Sequence, residues 1–179
     1  MHPLLTIGTV VFAHLLALII PGPDFIMAVR NSLIYSRKTG VYTAVGFALG
    51  MSVHIVYCIA GLAVIISKSI LVFNAIKFLG AGYLIYIGIK SWRSHGSEIH
   101  IGEHTKQADI SPLAAIRMGF LTNVLNPKAT LFFLSLFTLI IAPETPLSIL
   151  IIASAIMLIN AVIWFSFVSY CFSQQRVRN

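Results

Sequence analysis

Pro21-Gly22-Pro23-Asp24 interrupts an apolar run over about residues 4–29. A second interruption, Asn126-Pro127-Lys128, lies inside another apolar run over about residues 113–141. Only at these two places does a charge fall deep within a long hydrophobic stretch. One charge is acidic and the other basic, and each directly follows a proline. Proline removes a backbone donor and breaks a helix locally, and Gly22 adds freedom to the first break. The pattern predicts two broken helices, the first and the fourth, whose interruptions face each other and form a substrate site.

Composition sets the class. Of 179 residues, 58% are hydrophobic and 9% charged, against roughly 25% charged in a soluble domain. So few charges cannot cover a globule with polar surface, so the chain reads as an all-α, polytopic transmembrane bundle. Residues 1–179 make one domain. Cys58 and Cys171 lie in apolar runs and read as small buried hydrophobes, with no disulfide or metal implied. The net charge of +7 fits loops that orient the chain in a bilayer rather than a nucleic-acid partner. The N-terminus lacks a basic leader and outruns a signal peptide's apolar core, so it reads as a retained membrane helix.

A helix crossing the hydrocarbon core needs about 20 apolar residues. Five segments meet this, over about residues 4–29, 41–66, 69–89, 113–141 and 147–172. With five spans, Arg30, Arg37, Lys38, Lys90, Arg93, Lys106, Arg117, Arg176 and Arg178 all fall on one side. Lys68 and Lys77 lie near the opposite turn, and the turn at 142–146 carries no base. The positive-inside rule places the N-terminus outside and the C-terminal tail in the cytoplasm. Gly46 with Gly50, and Gly80 with Gly82, let neighbouring helices approach closely. Trp92 fits an interfacial anchor. The polar connection over about 94–111 holds His95, His100, His104, Glu98 and Glu103. Its spacings match no tight metal motif, and it reads as a solvated cytoplasmic linker.

Irregular backbone at membrane depth must face protein or a cavity, so both breaks should point inward. Asn126 suits the cap of a half-helix that has Pro127 first. Aligning Pro23 with Pro127 also aligns Asp24 with Lys128, and paired breaks in two halves point to a transporter's site. A charge at a helix centre costs about 2.5–3.5 kcal/mol if it faces lipid. Asp24 and Lys128 therefore either serve a substrate or form a salt bridge that only holds helices together. A third option puts Asp24 near the cytoplasmic interface.

Pro21-Gly22-Pro23-Asp24-Phe25, followed by Arg30-Asn31-Ser32, resembles the first-helix motif of the lysine exporter/homoserine–threonine exporter (LysE/RhtB) family. Gly46-Phe47-Ala48-Leu49-Gly50 resembles its second, and the run from Phe78 to Gly88 its third. Gly119-Phe120-Leu121-Thr122-Asn123 with Asn126-Pro127-Lys128-Ala129 resembles its fourth. The resemblance implies a bacterial inner-membrane exporter of amino acids, driven by proton antiport and nearest the homoserine/threonine branch. It implies an amino-acid substrate, contact with membrane lipid and no cofactor, and it allows a homodimer. Family members continue into a sixth helix where this chain stops at Asn179. A three-plus-three inverted repeat would then be incomplete, and a truncated, non-transporting fragment or an assembly subunit is the second reading.

For a zwitterionic substrate, Lys128 and the half-helix N-terminus after Asn126 would hold the carboxylate. Asp24 would hold the ammonium, carry the coupling proton, or alternate between the two. Asn123, Asn126 and Asn160 could add neutral hydrogen bonds. His14 and His54 lie mid-helix, as proton relays or as neutral rings bonded to a neighbour. An intramembrane enzyme using Asp24 and Lys128 as acid and base finds no nucleophile with a partner, no metal cluster and no phosphate loop.

Overall fold

Proline's fixed φ and missing N–H suit the first position of a helix, and this chain uses it there repeatedly. The computed structural model describes residues 3–93, 107–140 and 145–174. Among them are seven helices and no strand: α1 (Pro3–Ile19), α2 (Pro23–Ile34), α3 (Arg37–Lys68), α4 (Ile70–Arg93), α5 (Pro112–Val124), α6 (Pro127–Ile140) and α7 (Leu147–Phe172). Four of these begin on a proline, and Pro146 precedes α7.

Two of the expected segments are each two helices. α1 stops at Ile19 because Pro21 and Pro23 offer no N–H to the carbonyls of Ala17 and Ile19. α2 leaves at 56° to α1 and runs to Ile34, past the expected limit at 29. The extension tolerates Asn31 because its buried amide donates to Thr43 Oγ1 at 3.0 Å and to Met118 Sδ at 3.3 Å. α5 ends at Val124, and Pro127 opens α6.

Other boundaries move for local reasons. α3 starts at Arg37 rather than 41, because Ser36 Oγ accepts the Thr39 N–H at 3.3 Å and caps the helix. Arg37 and Lys38 thus belong to the helix rather than to a loop. α4 covers Ile70–Arg93 rather than 69–89. α5 opens on Pro112, with Ser111 Oγ accepting the Ala114 N–H at 3.2 Å. α7 has the expected bounds. The histidine-rich stretch at 94–106 and the side chain of Trp92 lie outside the described residues.

By length and composition, Arg37–Gly61 and Leu147–Phe172 can each cross a membrane, and α1 with α2 makes a third candidate as one bent span. Ile70–Tyr86 and Pro127–Leu139 are shorter apolar helices. Large side chains such as Leu71, Phe78 and Ile163 are exposed on outward faces, as lipid contact requires.

The helices pair in a reciprocal pattern. α1 packs on α7 as α5 packs on α3; α2 packs on α7 as α6 packs on α3. Each half therefore seats its first two helices against the third helix of the other, and the α1–α2 and α5–α6 turns meet at the centre. Glycine sets the closest of these crossings. A Cβ on Gly46 would run into the Ile116 carbonyl, and one on Gly119 into the Thr43 carbonyl. A Cβ on Gly50 would stand 2.8 Å from Asn123, so the α3–α5 contact fixes where Asn123 lies. Gly80 plays the same part between α4 and α6, where an added Cβ would stand 2.9 Å from Ser135 Cα, whereas one on Gly82 would face open space. Phe47, Phe133, Met157 and Phe165 fill the buried core, with the Phe47 and Phe165 rings 4.8 Å apart.

Candidate functional site

The end of α1 supplies the first component. Once the helix breaks, the Ile20 carbonyl has no helical donor of its own. Lys128, in the first turn of α6, reaches across and donates its Nζ proton to that oxygen at 2.8 Å. A cation at a helix C-terminus also meets the negative end of the helix dipole. The lysine passes close over Gly22: a Cβ there would lie 3.2 Å from both Lys128 Cδ and Nζ, so the side chain would have to give by a few tenths of an ångström.

The start of α2 supplies the second. Asp24 stands in its first turn, where the dipole favours an anion. Asn123 Nδ2 donates to Asp24 Oδ2 at 2.7 Å, and Asn126 Nδ2 to Oδ1 at 3.2 Å. Asn126 has a second task, since its Oδ1 accepts the Lys128 N–H at 3.0 Å and caps α6. Asp24 and Lys128 thus each take other partners instead of each other. Both border one cavity of about 50 Å³, together with Gly22, Asn126 and His14.

Asn123 and His54 stand one step back. His54 Nε2 lies 3.0 Å from the Asn123 carbonyl, and Nδ1 lies 2.8 Å from the Tyr57 hydroxyl. A carbonyl only accepts, so Nε2 carries the hydrogen and Nδ1 accepts from Tyr57. The ring stacks on Phe133 at 5.8 Å. His14 is buried at the cavity wall beside Phe132 and Phe133, and neither of its nitrogens has a partner among the described residues.

Of the residues singled out in the sequence, Asp24, Asn126, Lys128, Gly22 and His14 meet at the cavity. Asn123 touches it through Asp24, and His54 reaches it through the Asn123 backbone and through Phe133, which lines the cavity. Asn160, half-buried on α7, is not on the wall. Pro21, Pro23 and Pro127 are exposed and act through the backbone. The Ile20 carbonyl and Tyr57 were missed. Tyr57 was discoverable, three residues after His54 on one helix face; the freed carbonyl follows from the prolines.

The family model described as LysE type translocator matches residues 15–179. The uncharacterized membrane protein YrhP of Bacillus subtilis is 38% identical over 159 residues, covering 85% of this chain and 76% of its own length. The uncharacterized membrane protein YahN of Escherichia coli is 31% identical over 99% of this chain and 79% of its own. A homoserine/homoserine lactone efflux protein of Salmonella typhimurium is 32% identical over 70% of this chain, which spans 60% of that relative's length. No solved structure matches the chain.

Proposed function

The chain belongs to the LysE type translocator family, and from that premise we propose that it exports amino acids of the homoserine and threonine kind across the bacterial inner membrane by proton antiport. One observation carries this: two opposite charges from separate helix breaks, Asp24 and Lys128, border one cavity, each hydrogen-bonded to other partners.

Lys128 holds the substrate carboxylate, and Asp24 its ammonium. Asp24 also takes the coupling proton, so that substrate and proton compete for one carboxylate and cross in opposite directions. The two asparagines keep that carboxylate oriented when it is empty. A cavity of about 50 Å³ has room for roughly four waters at about 10–15 Å³ each. A substrate therefore enters as the α1–α2 and α5–α6 turns part, which shifts the Lys128–Ile20 contact. His54 fixes the end of α5, since a backbone carbonyl beyond it offers a proton no onward path. On this proposal the chain crosses the membrane five times: α1 with α2, α3, α4, α5 with α6, and α7. The bases between these segments put the N-terminus outside.

The test is efflux from cells loaded with dipeptides, with and without the chain. Threonine- and homoserine-containing dipeptides should release their amino acid faster with the chain present. Equal release across a panel of amino acids would overturn the proposal.

A further inference from the structure

The cavity's lining is chemically mixed. Asp24, Asn126 and Lys128 are polar, and Lys128 holds the Ile20 carbonyl. Leu18, Met51, Phe132 and Phe133 are apolar, and His14 stands beside the two phenylalanines. His14 precedes Ile20 by six residues on the same chain, about 9 Å at the helical rise of about 1.5 Å per residue. With a hydrogen bond of about 3 Å taken up at each end, the gap suits a short side chain rather than a long one.

His14 is only 1% exposed, yet neither ring nitrogen has a hydrogen-bond partner among the described residues. A buried polar group without a partner is uncommon and costly. The rings of Phe132 and Phe133, at 6.1 and 5.8 Å, offer none. His14 lines the cavity, so a group admitted as the cavity widens can reach its nitrogens.

We propose that His14 determines specificity by hydrogen-bonding a hydroxyl on the substrate's side chain, so that the site takes short hydroxylated amino acids over their aliphatic isosteres. This rests on the exporter reading and adds to it the group that reads the side chain. A neutral imidazole offers one donor and one acceptor, and a hydroxyl complements either. A charged side chain would be stranded against phenylalanine and methionine without a counter-charge. An aliphatic one would fit the walls but leave both nitrogens unpaired.

The experiment compares efflux within two isosteric pairs, homoserine against norvaline and threonine against valine, in cells producing the wild type, His14→Leu or His14→Gln at matched membrane levels. The wild type should favour the hydroxylated member at least about tenfold, and His14→Leu should bring the ratio to within about twofold. His14→Gln, which keeps a donor and an acceptor, should restore part of the preference. An unchanged ratio in His14→Leu overturns the inference and leaves the ring a seat for water only. Should that variant fail to insert, the same comparison with His14→Phe, which suits the aromatic surroundings, decides. If the wild type moves neither member of either pair, the exporter reading falls as well; if it moves both equally, only the role of His14 falls.

Discussion

Lys128 Nζ donates to the backbone carbonyl of Ile20, 2.8 Å away and 108 residues earlier in the chain. This contact fastens the α5–α6 turn to the α1–α2 turn, and it passes close over Gly22. A Cβ at 22 would press on Lys128 Cδ and Nζ at 3.2 Å, so the lysine must shift by a few tenths of an ångström. Gly22→Ala should insert normally and lose export severalfold. Gly82→Ala, where the structure leaves open space, should match the wild type. Efflux at matched membrane levels checks both; equal activity of the two variants would contradict the close approach.

Asp24→Asn removes the charge while leaving a side chain that still accepts one hydrogen bond from Asn123 or Asn126. Export driven by a pH gradient should be lost. Exchange of internal for external amino acid, which needs no net proton movement, should persist at a reduced rate. Proteoliposomes with and without an imposed gradient separate the two. Gradient-driven export in Asp24→Asn would move the coupling proton elsewhere.

His54→Gln tests the clamp on the end of α5. The Asn123 carbonyl keeps the Asn126 N–H at 3.0 Å when the bond from His54 is weakened, so the cost in stability should be about 0.5–1.5 kcal/mol. The pH dependence of export should keep its shape, because His54 donates to a carbonyl that cannot pass a proton on. Thermal unfolding and a pH series of efflux check this; a flattened profile would make His54 a relay.

Five crossings put Lys38 and Ser148 on opposite sides. In a background with Cys58 and Cys171 replaced by alanine, Ser148→Cys should react with an impermeant thiol reagent on whole cells. Lys38→Cys should react only after the membrane is opened. Reaction of both from one side would refute the five-span topology.

The breaks were legible because proline and charge are conspicuous in an apolar run, and Asn126 as a cap followed from its place before Pro127. Which partners the charges would take was not legible. The acceptor for Lys128 is a main-chain oxygen of Ile20, which has no letter in the sequence, and Asp24 draws on two amides that arrive only through the α3–α5 crossing. The reach of α2 past Arg30 was hidden for a similar reason. Asn31 looks like a helix end until Thr43 and Met118 satisfy it from other helices. Asn160, polar and mid-helix, sits half-buried on α7 away from the cavity wall.

Lys128→Met, a chain of similar length with no charge, is the most direct trial of whether the cavity between the two breaks is the amino-acid site. The variant should reach the membrane in normal amounts and release no more threonine or homoserine from dipeptide-loaded cells than cells lacking the protein. Export by Lys128→Met at the wild-type rate would contradict it.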